Sequence, residues 1–406
     1  MKIGLVCPYV LNVGGVQEHV RALYENFTRK GHQVRILAPH LFGEKPKKDV
    51  IFLGRGFYTD NAAGTGSHLT LGLHYGPVVE EILQEEKFDI LHFHEAMVPT
   101  ISWFLLTYSQ GINIATFHRA QKFSQDEVSF YRFLKPIGVL LARRVHGYIA
   151  VSKTAKNFSS VLFPGKCTII PNGVDISRFR PRGQKIKKFA DGKINILFVG
   201  RLEGRKGLMY LLRAFSQLEN QNLRLIIVGD GPMRSEYEKF VKRRKMENVS
   251  FEGEVSAADL PLYYHTADIF CSPAPHGESF GIVLLEAMAS GLPLVAFANP
   301  GYKELLYDYP HSKLLPKPKN VEGLALAFKI LAKDQNLRKE LGQWGRNKAK
   351  QYSWKKVSGE ILSFYRETLA KNKRKNGFLS QTLKTAPIPL PRFIKDFLAN
   401  DVIGPY

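Results

Sequence analysis

Glu278 and Glu286 stand eight positions apart in the run His-Gly-Glu-Ser-Phe-Gly-Ile-Val-Leu-Leu-Glu-Ala-Met-Ala-Ser-Gly, from His276 to Gly291. A small Gly-Glu-Ser-Phe-Gly turn leads into an apolar stretch that carries Glu286, and Gly291 with Pro293 closes it. This is the pattern of a loop feeding a helix that ends at a glycine cap. Eight residues of helix would rise about 12 Å. Carboxylates that far apart cannot share one proton or one metal. They can hold two ends of an elongated ligand whose anionic middle sits at the helix N-terminus. A nucleotide sugar has that shape, with hydroxyls on its hexose, a diphosphate, and hydroxyls on its ribose. A solvated Glu278 and a Glu286 that merely tolerates its helix fit this run equally well.

Other stretches supply groups that suit a diphosphate. In Gly200-Arg201-Leu202-Glu203-Gly204-Arg205-Lys206-Gly207, Arg201 and Lys206 bracket a tight turn before a helix. Arginine grips phosphate oxygens with two bonds and lysine adds a point charge. A solvated charged loop is the competing account of those residues. Gly14-Gly15-Val16-Gln17 follows the first strand and opens a helix, so its amides can approach a phosphate. It is not the Gly-x-Gly-x-x-Gly of dinucleotide enzymes. Ile227-Val228-Gly229-Asp230-Gly231-Pro232 is a further strand-to-helix turn, placed to line a nucleoside pocket. His92 and His94 end one strand on the same face, and His118 ends its neighbour. Ligands of open parallel sheets bind at the carboxyl ends of strands, which suits His94 and His118; His92 suits a structural role. No Cys or carboxylate has supporting metal-ligand spacing around these histidines, and no metal site is expected. Nowhere are two aspartates separated by one residue, the commonest recruiter of a divalent cation in nucleotide-sugar enzymes. Diphosphate charge then falls to Arg201, Lys206 and helix N-termini.

The elements that must position these residues follow from periodicity. Apolar β-branched runs alternate with amphipathic stretches, which implies parallel sheets with helical crossovers. Strands are expected at Lys2–Cys7, Gln33–Ala38, Ile90–His94, Asn113–Phe117 and Gly147–Val151, then at Ile194–Val199, Leu223–Val228, Val249–Phe251, Ile269–Ser272 and Leu292–Ala296. Helices are expected at Val16–Lys30, Gly207–Leu218 and Met233–Lys245. Two such sets mean two doubly wound α/β domains, 1–180 and 181–353. A charged segment near Arg178–Lys193 links them, and this linker and the return into Trp354 are the expected hinges. Trp354–Leu369 is amphipathic and free to dock back on the first domain. The tail 371–406 holds the basic knot Lys371–Lys375, then Pro387, Pro389 and Pro391, then an amphipathic stretch from Arg392 to Val402. It reads as a frayed extension or as a contact for an anionic membrane.

Composition narrows the partners. The chain has 406 residues, 44% hydrophobic and 23% charged, as in soluble globular proteins. No apolar run approaches the roughly 20 residues that span a bilayer, and no signal peptide is expected ahead of the first strand. Cys7, Cys167 and Cys271 are far apart beside apolar runs, as buried thiols of a reducing compartment would be. The net charge of +22 calls for an anionic partner: a phosphorylated substrate, an acidic lipid surface or nucleic acid. No zinc-finger spacing, basic zipper or RNP-type aromatic stretch accompanies it, so nucleic acid is not expected.

Taken in order, Gly14-Gly15-Val16-Gln17, Pro171-Asn172-Gly173-Val174-Asp175 with Phe179, Gly200-Arg201 to Lys206-Gly207, Val228-Gly229-Asp230-Gly231-Pro232 and the Glu278–Glu286 pair resemble the retaining glycosyltransferases of family four. The resemblance covers nearly all of residues 1–370. It implies the GT-B architecture, two facing Rossmann-like doubly wound parallel-sheet domains with a C-terminal helix returning to the first. Met1–Tyr9, Gly15–His19, His92–Glu95, Ala115–His118 and Gly277–Leu284 resemble bacterial phosphatidylinositol mannosyltransferases in particular. The donor implied is GDP-mannose. Glu278 would hold the sugar hydroxyls and Glu286 the ribose, Arg201 and Lys206 the diphosphate, and His118 would lie beside the transferred sugar. Gly15, Gly229, Ser279, Phe280, Gly281 and Ile282 would complete the donor site, with Asn12 and Gln17 near the acceptor. No cofactor or essential metal is implied. The implied place of work is the inner face of the cell membrane, on a lipid or glycan acceptor. Two departures stand out: a short Asn12-Val13-Gly14-Gly15 turn with Asn12 where Asp is typical, and an acidic stretch, Val78–Lys87, where those mannosyltransferases are basic. Enzymes that glycosylate diacylglycerol or build surface polysaccharides with UDP sugars share most of these motifs, and a non-catalytic nucleotide-sugar or polyanion binder would keep the same pocket.

Overall fold

The computed structural model describes residues 1–9, 11, 14–40, 48–55, 57–60, 66–69, 76–96, 98, 101–119, 136–159, 165–218 and 222–379, with backbone alone at 55–69 and 374–379. Strands of the first half are β1 (Lys2–Val6), β2 (Gln33–His40), β3 (Val50–Arg55), β4 (Phe57–Asp60), β5 (Gly66–Leu69), β6 (Ile90–His94), β7 (Ile112–Phe117), β8 (Gly147–Ala150) and β9 (Cys167–Ile169). Its helices are α1 (Gly15–Arg29), α2 (Gly76–Glu86), α3 (Ile101–Tyr108), α4 (136–142) and α5 (Lys153–Ser159). Seven strands form one parallel sheet in the order β3-β2-β1-β6-β7-β8-β9, and β4 pairs antiparallel with β5 beside it.

The second half has β10 (Ile194–Val199), β11 (Leu223–Val228), β12 (Val249–Gly253), β13 (Ile269–Ser272) and β14 (Leu294–Ala296). These make a five-stranded parallel sheet in the order β12-β11-β10-β13-β14. Its helices are α6 (Leu208–Phe215), α7 (Arg234–Arg243), α8 (Leu260–Thr266), α9 (Ile282–Ala289), α10 (Pro300–Leu305), α11 (Val321–Lys333) and α12 (Gln335–Ala349), and α13 (Trp354–Leu379) follows.

Both sheets reverse direction beside their first strand. In the first, β1 lies between β2 and β6; in the second, β10 lies between β11 and β13. Loops leaving neighbouring strands on opposite faces part there and open a crevice at the carboxyl edge. β1, β6 and β7 end toward Gly15, His94 and His118, while β10 and β13 end toward Arg201–Lys206 and Glu278. The two crevices face one another: a Cβ built on Gly15 would stand 3.3 Å from Ile282 Cδ1.

α13 carries the chain back. Val357, Ile361, Leu362 and Tyr365 are buried with Val20, Leu23 and Phe27 of α1 and with Ile3 and Leu5 of β1. The outgoing and returning strands are bonded together, Val174 N donating to Tyr352 O at 2.8 Å and Trp354 N to Val174 O at 3.2 Å. The segment expected as a hinge, Arg178–Lys193, instead lies against the second domain. Phe179 and Phe189 are buried there, and Arg346 Nη1 donates to Phe179 O at 2.9 Å. The crossing itself sits at Val174 and Ser353, where two short strands form a bridge. α13 also runs ten residues past the expected Leu369, through the basic knot. The proline cluster and the stretch from Arg392 fall outside the described residues. All three cysteines are buried free thiols. Among the described residues no helix is long and apolar enough to cross a membrane.

Candidate active site

Glu278 sits at the centre of a charge network. Its Oε1 accepts from Lys206 Nζ at 2.7 Å and from Arg205 Nη1 at 3.2 Å. Arg205 Nε donates to Glu203 Oε2 at 3.0 Å, and Arg201 Nε lies 2.8 Å from Glu203 Oε1. Glu203 is 2% exposed, so its charge is spent on these two arginines. Three cations against two carboxylates leave one excess positive charge at the mouth of the crevice. Arg205 and Glu203 complete the network, although the motif reading singled out only Arg201 and Lys206. Their signal was present in the alternation Arg201, Glu203, Arg205, whose side chains share one edge of the turn.

Glu278 does not lie on the helix with Glu286. α9 begins at Ile282, so only Ile282 to Glu286 is helical and the expected 12 Å rise does not apply. Glu278 belongs to the loop ahead of it, and Gly281 makes the corner at φ +92°. A Cβ there would meet the Tyr302 ring at 2.7 Å. The N-cap residues of α1 and α9 are Gly14 and Gly281, which have no side chain to cap the first amides, and these amides are available to an anion. Two helix N-termini and three cations around one space make a strong anion site.

Glu286 lies one turn into α9 and accepts from Tyr264 OH at 2.7 Å. Burial pushes its carboxyl up to about 7, against the pull of Tyr264 and Arg178. A carboxyl raised from 4.5 to about 7 favours folding while protonated, so that contribution is full below pH 4.5 and lost as pH rises through 7.

The other expected donor residues divide. Ser279 is half-buried in the loop beside Glu278. Phe280 is 5% exposed and packs against Tyr352 at 5.9 Å, so its side chain belongs to the core. Gly229 has φ +127°, and a Cβ there would stand 2.2 Å from Gly200 O. Its turn is tied back to back with the Arg201 turn, Leu202 N donating to Asp230 O at 2.9 Å. Gly229→Ala should therefore lower stability by about 2 kcal/mol or more, read as a lower denaturant midpoint. An unchanged midpoint would show that the two turns can separate freely.

In the first domain Gln17 is 8% exposed on the first turn of α1. Asn12 lies outside the described residues. His118 is 9% exposed, with Nε2 3.0 Å from His94 Nδ1 and its backbone N–H donating to Glu95 Oε1 at 2.5 Å. His92 is fully buried and structural: Nε2 meets Thr116 Oγ1 and Nδ1 meets Tyr365 OH of α13, both at 2.6 Å. Motif reading missed His19, whose Nδ1 is 2.8 Å from Asn172 Oδ1 and whose ring stands edge-on to His118 at 4.8 Å. Burial pulls His19 down to about 4 and holds His94 and His118 well below 6.5, so all three rings are neutral at pH 7.

Among the described residues His19, His94 and His118 are the group able to offer ligand atoms together, within 4.8 Å of one another. Zinc at 2.0–2.1 Å from each would need nitrogens roughly 3.4 Å apart and free lone pairs. His94 and His118 are instead hydrogen-bonded to each other, and no thiolate or carboxylate completes a set.

Sequence and structure comparisons match both domains. The family described as Glycosyltransferase Family 4 matches residues 13–178, and that described as Glycosyl transferases group 1 matches residues 179–348. A phosphatidyl-myo-inositol mannosyltransferase of Mycobacterium tuberculosis is 32% identical over 377 residues, covering 91% of this chain and 97% of that one. An uncharacterized glycosyltransferase of Methanocaldococcus jannaschii is 27% identical over 376 residues, 87% of this chain and 94% of its own. In fold, the chain is similar to a Rickettsia africae glycosyltransferase (TM-score 0.72, 19% identity, 91% and 98% covered). It is also similar to Anabaena HepE in complex with UDP and glucose (TM-score 0.70, 19% identity, 90% and 100% covered). With two facing parallel-sheet domains, a cationic crevice between them and family matches that run through both, the chain belongs to the family four glycosyltransferases of GT-B fold and is a hexosyltransferase.

Proposed function

We propose that the chain transfers mannose from GDP-mannose to a hydroxyl of phosphatidylinositol, with retention of configuration. The observation that carries this is the 32% identity along 97% of a relative named phosphatidyl-myo-inositol mannosyltransferase, with Glu278, Arg201 and Lys206 gathered at one crevice. Diphosphate oxygens take the place of Glu278 as partners of Lys206 and Arg205, with Arg201 beside them on Glu203. The same exchange frees the Glu278 carboxylate for sugar hydroxyls. The acceptor oxygen attacks C1 on the face from which the diphosphate leaves. The C1–O bond breaks, its electron pair goes to the phosphate oxygen, and that oxygen takes the acceptor proton. Arg201, Arg205, Lys206 and the amides near Gly15 and Gly281 stabilise the departing charge, so the reaction needs no metal, and EDTA leaves the rate unchanged.

Glu286 holds the ribose. Only its ionised form accepts from both hydroxyls, so GDP binding tightens as pH rises through about 7. Calorimetry from pH 6 to 8 reads this directly; Glu286→Gln flattens the profile, and a slope retained in that variant would assign the titration elsewhere.

Work on the inner face of an anionic membrane accounts for the net charge of +22. α2 is acidic, with Glu80, Glu81 and Glu85 exposed, so surface contact falls to the basic segments, Lys371–Lys375 at the end of α13 among them. The test is transfer from GDP-mannose, UDP-glucose and UDP-GlcNAc, each with and without phosphatidylinositol vesicles. Turnover of GDP-mannose that depends on the inositol lipid is the expected result. Turnover of a UDP sugar instead would overturn the donor and move the acceptor toward diacylglycerol or polysaccharide.

A further inference from the structure

His118 is held at two points by consecutive residues of one strand end. Glu95, at φ +56° just beyond β6, accepts its backbone N–H, and His94 Nδ1 lies 3.0 Å from its Nε2. The His94 ring is packed in turn, its centroid 4.3 Å from that of His92, which Thr116 and Tyr365 fix at both nitrogens. Two neutral imidazoles joined by one hydrogen bond have a donor and an acceptor, and each ring carries a single N–H.

The remaining nitrogens decide the direction. Among the described residues, His94 Nε2 and His19 Nε2 are buried without a hydrogen-bond partner. Asn172 Oδ1 accepts from His19, which places the His19 hydrogen on Nδ1 and leaves a lone pair on Nε2. His94 has the same choice. With its hydrogen on Nε2, it would bury an N–H against no acceptor. With the hydrogen on Nδ1, only a lone pair goes unused, the less costly of the two. The bond then runs from His94 to His118, and His118 Nε2 is the acceptor. Nδ1 is left as the ring nitrogen of His118 outside the His94 bond, on a residue that is 9% exposed.

We infer that His94 is a positioning residue: its Nδ1–H donates to His118 Nε2 and holds His118 as the tautomer that presents Nδ1–H to the donor. A neutral N–H at that point suits a sugar hydroxyl or phosphate oxygen. It stays a donor across the working pH range because burial keeps both rings uncharged. Titratable and charged groups facing the pair are His19 from α1, His92 from β6, and Glu95 and Arg119 from the loops beyond β6 and β7. The inference rests on the placement of His118 beside the transferred sugar.

The tautomer is read on the full-length protein without substrate, by 15N–1H multiple-bond correlation on a 15N-histidine sample. His118 is assigned by the signal lost in His118→Gln. The Nδ1–H form is the expected result; His118 as Nε2–H would overturn the inference. Kinetics give a second reading. His94→Asn can keep an N–H at the Nδ1 position and should stay within a few-fold of the parent. His94→Asp supplies an acceptor, drives His118 to Nε2–H, and should lower kcat by about 10²-fold with GDP binding unchanged. Equal losses in both variants with GDP binding intact would reduce His94 to packing and overturn the inference. A protein that transfers no mannose but shows His118 as Nδ1–H would overturn the functional reading and retain the tautomer.

Discussion

Glu278→Ala should lower kcat for transfer by about 10³-fold while GDP binds at least as tightly as before. The asymmetry follows from the network. In the free protein Glu278 occupies Lys206 and Arg205, and an arriving diphosphate must displace it from both. Removing the carboxylate frees two cations for the nucleotide and takes the sugar's partner away. Titration of GDP by calorimetry alongside steady-state transfer separates the two effects. Loss of GDP binding in parallel with turnover would show that Glu278 holds the loop together instead of holding the sugar.

Lys206→Ala should do the opposite, lowering GDP affinity and kcat/KM together, by about 10²-fold in kcat/KM. Lys206 closes the short 3-10 turn Gly204–Lys206 and lies nearer to Glu278 than Arg205 does, at 2.7 Å against 3.2 Å. Arg205 retains its own bond to Glu278 in this variant, so the carboxylate stays paired and the loop stays in place. The loss is therefore one of diphosphate recognition and leaving-group stabilisation. Unchanged kinetics would remove Lys206 from the site and leave Arg201 and Arg205 as its cations.

Both predictions rest on residues whose motifs were legible before the fold was known. Strand ends were set by abrupt loss of β-branched apolar residues, and Ile90–His94, Ile194–Val199, Leu223–Val228 and Ile269–Ser272 fall where expected. Because these strands carry the switch points, Gly15, His118, Arg201, Lys206 and Glu278 were already placed at the carboxyl edges. Short or exposed elements left no such signature. β9 has three residues with two exposed, and the β4–β5 hairpin has four-residue strands. The helical rise assumed between Glu278 and Glu286 failed because Glu278 lies in the turn that ends at Gly281, and the helix begins only at Ile282, where the apolar run starts.

What pairs in space was harder to read. Arg205 and Glu203 sit in a turn where charges are ordinarily solvated, and only burial of Glu203 shows that they form a bridge. His19, His94 and His118 come from α1, from β6 and from beyond β7, so no spacing along the chain connects them. The same holds for Tyr365, nearly three hundred positions from His92, which α13 brings back to the floor of the site (|i−j| = 273).

The most direct test is to incubate the protein with GDP-mannose labelled in the sugar and with vesicles containing phosphatidylinositol, then to identify the product by mass and by the one-bond carbon–proton coupling at its anomeric carbon. The expected product is one labelled inositol lipid, carrying mannose in the α configuration of the donor, formed in step with GDP release. Labelled free mannose with no glycolipid, or a glycolipid of inverted configuration, would contradict it.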